Sequence, residues 1–175
     1  NTLWFMALAA AFVLLALLGR RYLLDDRELT RTTRIATLVG FAVGLIAALV
    51  LRVLLGLYCE GYSVDMNCFS AWAVRMANLG PAQFYAEDVF CDYPPGYMLL
   101  LWPIGAMINA LGYSASPTIR LVVKLIPILC DMALAIFLFA HAKKRLPVKA
   151  AALVGLLFAF NPSAIANGAA WGQVD

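Results

Sequence analysis

The sequence predicts an all-α integral membrane fold: a multi-span helical bundle with one long external loop that carries an interfacial amphipathic helix. Three observations predict it. The 175 residues are 64% hydrophobic and 13% charged, against roughly 45–50% apolar and about 25% charged residues in a soluble domain. Several apolar runs approach or exceed the roughly 18 residues that read as a spanning helix at a rise of about 1.5 Å per residue. One long run is different. Tyr58 to Pro95 carries Glu60, Asp65, Glu87, Asp88 and Asp92, half of the 10 acidic residues, against a single cation, Arg75.

Leu3–Gly19 is the first spanning candidate. It has no cationic flank before it and no small-residue cleavage site after it, so it reads as an anchor and not as a removable signal. The polar stretch that follows holds Arg20, Arg21, Arg27, Arg31 and Arg34, and short loops rich in Lys and Arg stay cytoplasmic. Ile35–Tyr58 is the second span. Its one charge, Arg52, lies near the outer end, where it either snorkels to the interface or contacts a phosphate. The external loop, residues 59–118, comes next. Phe69, Trp72, Ala73, Met76 and Leu79 recur there at helical spacing, with Asn67, Ser70, Arg75 and Asn78 largely on the other side. That pattern predicts an amphipathic helix, Asn67–Leu79, lying in the interface plane and ended by Gly80-Pro81. Asp65 stands just ahead of its first turn, an ordinary position for an N-cap.

After Tyr93-Pro94-Pro95-Gly96-Tyr97 comes the apolar run Met98–Leu111, short and interrupted by Pro103 and Asn109. If it crossed, Lys143, Lys144, Arg145 and Lys149 would lie outside, against the charge rule. Residues 96–111 are therefore expected to dip into the outer leaflet. Ile119–Ala140 then runs inward and Ala150–Ile165 outward. This gives one transmembrane module with spans at about 3–19, 35–58, 119–140 and 150–165, and it returns Asp175 to the side of Asp65. Asp131 is intramembrane and costly unless paired. Arg120 and Lys124 share one helix face, and either snorkel to lipid phosphate or clamp a substrate phosphate. Phe160-Asn161-Pro162-Ser163 reads as a helix end, followed by the polar turn Trp171-Gly172-Gln173-Val174-Asp175.

Other chemistries find little support. Cys59, Cys68, Cys91 and Cys130 form no CxxC pair and His141 is alone, which speaks against zinc. One disulfide, Cys68 with Cys91, is open in an oxidising compartment. There is no P-loop, GxGxxG, GxSxG or Ser/His/Asp set, and the net charge of +3 comes from basic loops and implies no nucleic-acid partner. The chain starts at Asn1 and stops inside its last motif, so it reads as an N-terminal piece of a longer protein. An acidic, aromatic loop between spans suggests a reaction site at a bilayer surface. Moving a sugar from a lipid phosphate to a hydroxyl would need a base and cations there. Asp65 supplies the first, and Arg120, Lys124 or Arg52 the second. A transporter or flippase of lipid-linked sugars would instead place polar groups mid-membrane, where only Asp131 fits. A non-catalytic scaffold would use Asp65 merely as a cap.

The order Asp65, Asp92-Tyr93-Pro94-Pro95, Asp131, Asn161-Pro162-Ser163 and Trp171-Gly172-Gln173-Val174-Asp175 resembles the GT-C superfamily of membrane glycosyltransferases. The pattern is most similar to the dolichyl-phosphate-glucose-dependent glucosyltransferases and their bacterial mannosyltransferase-like relatives. The resemblance covers most of the chain from Ile35 onward and makes Leu3–Gly19 an extra N-terminal helix. It implies a hexose moved with inversion from a polyprenyl-phosphate-linked donor to a hydroxyl of a lipid-linked or polymeric glycan. Asp65 would be the general base. Asp92 and Tyr93 would shape the site, and Trp171, Gln173 and Asp175 would bind substrate. Some relatives use a metal at the position of Asp175, but Asp65-Met66-Asn67 offers no second carboxylate. A reaction with no cofactor is expected, and a divalent metal is the lesser alternative. The implied setting is the plasma membrane of a bacterium, or the endoplasmic reticulum of a eukaryote, with membrane lipids as neighbours and the site extracytoplasmic.

The Lys/Arg distribution predicts that single cysteines placed at positions 60 and 144 are labelled from opposite sides of the membrane. Labelling of both from one side would restore Met98–Leu111 as a true span.

Overall fold

The computed structural model describes residues 2–23, 30–86, 89–112 and 116–173, and all of its regular elements among these are helical. They are α1 (Thr2–Leu23), α2 (Arg31–Tyr58), α3 (Ser63–Leu79), α4 (Pro95–Leu111), α5 (Pro117–Ala142) and α6 (Val148–Ala159). A single turn at Pro162–Ala164 and a π-helix at Ile165–Trp171 follow. Among the described residues α2, α5 and the Val148–Trp171 stretch are long and apolar enough to cross a membrane, and α1 contributes the shorter apolar stretch Met6–Gly19. The chain is a membrane protein on that ground.

Local chemistry starts the long helices. The hydroxyl of Thr30 accepts a hydrogen bond from the Thr33 amide ahead of α2. Ser116 does the same for Ile119 ahead of α5, with Pro117 in the first turn, where its missing N–H costs nothing. α2, α5 and α6 then pack together, with α1 against α6. Phe41 stacks on Phe139 at 4.3 Å between centroids. Apolar side chains such as Val39, Val43 and Ile46 of α2 and Leu129 and Phe137 of α5 remain exposed, as an acyl-chain environment permits.

Arg52 does neither of the two things expected of it. It is fully buried, and its Nε and Nη2 each lie 3.3 Å from Asp131 Oδ2. Its Nη1 donates to the carbonyl of Ala159 at 2.6 Å. The cause lies in the last span, where α6 ends at Ala159 with Phe160 as its C-cap, the helix end expected there. Pro162 has no N–H, and the Ser163 amide is taken by the Asn161 side chain at 2.9 Å. Ala159 thereby loses its normal helical donor, and Arg52 replaces it. The helix restarts at Pro162, so the span runs on to Trp171 instead of stopping at Ile165. Asp131 is paired, as its position demanded.

α3 also differs from its expectation. Phe69, Trp72, Ala73 and Met76 are buried as a stripe, while Leu79 is 40% exposed. Yet the stripe faces α4 and not lipid. Phe69 meets Tyr97 at 5.6 Å, a Cβ on Gly105 would collide with the Ala73 carbonyl, and Asn109 donates to Asn78 at 2.8 Å. These contacts rise together along both helices, so α3 and α4 run side by side in the same direction. The segment between them doubles back along α3: Arg75 Nε donates to Phe84 O at 3.0 Å and Trp72 Nε1 to Phe90 O at 2.8 Å. The pair is two-sided. α4 turns Leu99, Leu100, Trp102 and Met107 outward, whereas Asn67 and Asn78 are exposed on α3.

Asp131→Ala leaves the Arg52 guanidinium buried without its counter-charge and is expected to cost about 3–5 kcal/mol. The double variant Arg52→Leu/Asp131→Ala should recover part of that loss. Thermal unfolding in detergent measures both, and wild-type stability of Asp131→Ala would contradict the pairing.

Candidate functional site

Four chain ends meet at one place: the C-terminus of α2, the N-terminus of α3, the first turns of α5 and the end of the π-helix. A helix C-terminus leaves its last carbonyls without intrahelical donors. α5 supplies them from one face. Arg120 Nη2 donates to Leu57 O at 3.3 Å. Lys124 Nζ donates to Cys59 O at 2.8 Å and to Ala170 O at 2.9 Å. Lys124 is fully buried, so it does not snorkel, and two of its three ammonium hydrogens serve the main chain. Arg120 keeps Nη1 3.8 Å from the exposed Glu60 carboxylate, and its buried Nε has no hydrogen-bond partner among the described residues.

The Trp171–Gln173 turn follows from the same junction. Gly172 has φ +90°, and a Cβ there would press on Met66 and Lys124. Only glycine tolerates both conditions. Asn167 O accepts from the Gly172 and Gln173 amides at 3.0 and 3.1 Å, closing the helix end. Tyr62 N then donates to Trp171 O at 3.2 Å. The outcome is a side-chain contact between residues 108 apart: Gln173 Nε2 donates to Asp65 Oδ2 at 2.5 Å.

Asp65 is not a cap. α3 begins at Ser63, four residues earlier than expected, with Tyr62 in the cap position and no side-chain cap bond. Asp65 lies inside the first turn, where the helix dipole favours a carboxylate. It is half-buried. Gln173 fixes one of its oxygens, and among the described residues the other takes no hydrogen bond.

Asp92 and Tyr93 reach the same region along the returning segment. Tyr93 packs against Phe69, Trp72 and Tyr97, with centroids 5.3, 5.8 and 5.3 Å away, while Asp92 is exposed. Cys68, which the sequence did not mark as a site residue, feels the charge of both carboxylates. Burial pushes its thiol up from the usual range, and Asp92, Asp65 and Cys91 add to the shift in that order. No disulfide joins Cys68 to Cys91. All four cysteines are free, and Cys91 Sγ is directed at Tyr93 O and Met98 Sδ, at 3.6 and 3.7 Å. Trp171 is exposed beside Tyr62, with centroids 6.1 Å apart. The site thus brings Asp65, Gln173, Trp171 and Lys124 together, with Arg120 at its edge and Asp92 and Tyr93 near Cys68. Asp175 lies outside the described residues. Among the described residues no three of His, Cys, Asp and Glu gather as a metal would need.

Comparison of the chain with protein-family models, curated proteins and solved structures gives no match. The functional reading therefore rests on the site's own chemistry.

Because Cys68 is held as the neutral thiol, its alkylation at pH 8 should be slower than that of an unperturbed cysteine and should accelerate only at higher pH. Asp92→Asn removes one of the charges that disfavour the thiolate, so the rate at pH 8 should rise. An unchanged rate would show that Asp92 does not act on this thiol.

Proposed function

We propose that the protein is a membrane glycosyltransferase of the GT-C type, with Asp65 as general base. The supporting observation is the Asp65–Gln173 contact. It orients a half-buried carboxylate by one oxygen and leaves the other open to a hydroxyl. A positioned base contributes roughly 10²- to 10⁴-fold when it lies about 2.6–3.2 Å from the proton it removes.

In the proposed reaction Asp65 takes the proton of an acceptor hydroxyl, and that oxygen attacks the anomeric carbon of a polyprenyl-phosphate-linked hexose. The bond from that carbon to the phosphate oxygen breaks with inversion, and the lipid phosphate leaves as the anion. Arg120 is the better placed of the site's cations to steady it, because Lys124 is largely committed to carbonyls. The donor's tail would remain in the bilayer. The two-sided α3/α4 pair suits such a place: α4 would lie against the acyl chains of the outer leaflet, with α3 and Asp65 above it on the extracytoplasmic side. No metal enters the proposed step, since Met66 and Asn67 follow Asp65 where a second carboxylate would be needed. A flippase would use a free polar group within the bundle. Arg52 and Asp131 are instead bonded to each other, and Arg52 to Ala159, which favours the transferase reading.

Asp65→Asn retains an oxygen that can accept from Gln173 and removes the base. It is expected to unfold like wild type while hexose transfer from a polyprenyl-phosphate donor falls by about 10²-fold or more. Wild-type transfer by Asp65→Asn would end the case for this residue as the base.

A further inference from the structure

The last span has two faces of different chemistry. Ile165, Gly168 and Ala169 are buried against the bundle, whereas Ser163, Asn167 and Trp171 are exposed at intervals of four. Together with Asn161, Ala164 and Ala166 they line a cleft of about 450 Å³, within the size range of small-molecule sites. Side chains of this polarity on a span are not left facing acyl chains, because hydrocarbon offers them no hydrogen bonds. The cleft therefore opens to something polar.

Its lining narrows what that is. Among the described residues it contains hydroxyl and amide groups and one large aromatic ring, and no charged side chain. An anion would find no counter-charge among these groups. A pyranose presents the matching surface: an apolar C–H face for an aromatic ring and a rim of hydroxyls for side chains that both donate and accept. Trp171, in the cleft wall, is 52% exposed, and its ring meets that of the 49% exposed Tyr62 at an angle of 37°. Asn161 Oδ1 accepts from the Ser163 amide, which leaves the side-chain NH₂ to donate. Two residues beyond Trp171, Gln173 holds Asp65.

We infer that this cleft binds a neutral hexopyranose with its ring against Trp171, and that it is the acceptor subsite of the reaction. The acceptor role rests on the transferase reading above. The donor carries a phosphate and needs cations, which the described lining of the cleft lacks; the acceptor sugar is uncharged and must present a hydroxyl to Asp65.

The test is saturation-transfer NMR on the full chain in nanodiscs, with methyl glucopyranoside and methyl mannopyranoside as probes. Wild type should transfer saturation to the ring C–H protons. Trp171→Ala should reduce the signal by about fivefold or more, as the loss of a stacking face implies, and Ser163→Val should weaken it as well. Neither change should prevent folding: the Trp171 ring is exposed, its backbone carbonyl still accepts from Tyr62, and Ser163 is exposed. Asp65→Asn should keep the signal. Absence of transfer in wild type, as when another helix covers this face, overturns the inference, and so does an undiminished signal in Trp171→Ala. The two readings fail separately. An inactive Asp65→Asn with sugar contact indifferent to Trp171 removes the cleft and keeps the base. An active Asp65→Asn with Trp171-dependent contact does the reverse.

Discussion

The ammonium of Lys124 stands between the carbonyls of Cys59 and Ala170, and the meeting of Asp65 with Gln173 and Trp171 follows from that bridge. Cys59 begins the link from α2 to α3, so holding its carbonyl sets where Tyr62 and Asp65 start. Ala170 ends the π-helix, so holding its carbonyl aims Trp171 and Gln173. A buried ammonium is costly to remove from water. Here the cost is offset because both oxygens belong to helix C-terminal ends, where the backbone dipoles place partial negative charge. Asp65 and Gln173 meet because a cation has tied their two backbones to one point.

The same device operates deeper in the bundle. The break at Asn161-Pro162 frees the Ala159 carbonyl in a setting where water cannot satisfy it, and the Arg52 guanidinium takes it while pairing with Asp131. Both breaks in helical bonding are thus met by long cations from neighbouring helices. This limits function directly. Arg52 and Lys124 are spent on the fold, and Arg120, at the edge of the site, is the cation that the proposed reaction would use against an anionic substrate.

The α3/α4 pair gives the site its boundary. Gly105 lets the two helices approach backbone to backbone at Ala73, so the apolar stripe of α3 is consumed within the protein. α4 is left with Leu99, Leu100, Trp102 and Met107 on its outer face. The aromatic set Phe69, Trp72, Tyr93 and Tyr97 locks the returning segment between them, which brings Asp92 back beside the turn that carries Asp65. A slab that is apolar below and polar above suits the reaction proposed for it, in which a lipid tail and a sugar must be held at once.

Three of the four expected spans were legible in the sequence because apolar length is a one-dimensional property, and the buried stripe of α3 was legible because helical period is another. The convergence of Asp65, Gln173 and Trp171 was legible only as the order of motifs along the chain. The partners were not legible. Arg52 and Asp131 are 79 residues apart, and two opposite charges in separate spans say nothing about whether helix packing brings them to one depth. Spacing placed Arg120 and Lys124 on one face, but it could not show that the carbonyls of α2 end opposite that face. Asp65 looked like a cap because the residues before the stripe are polar, and only the backbone showed the helix starting at Ser63. The sequence by itself determined which segments are helices and which residues are costly to bury. The tertiary structure decided how that cost is met, because hydrogen bonds between distant segments depend on where the helices cross.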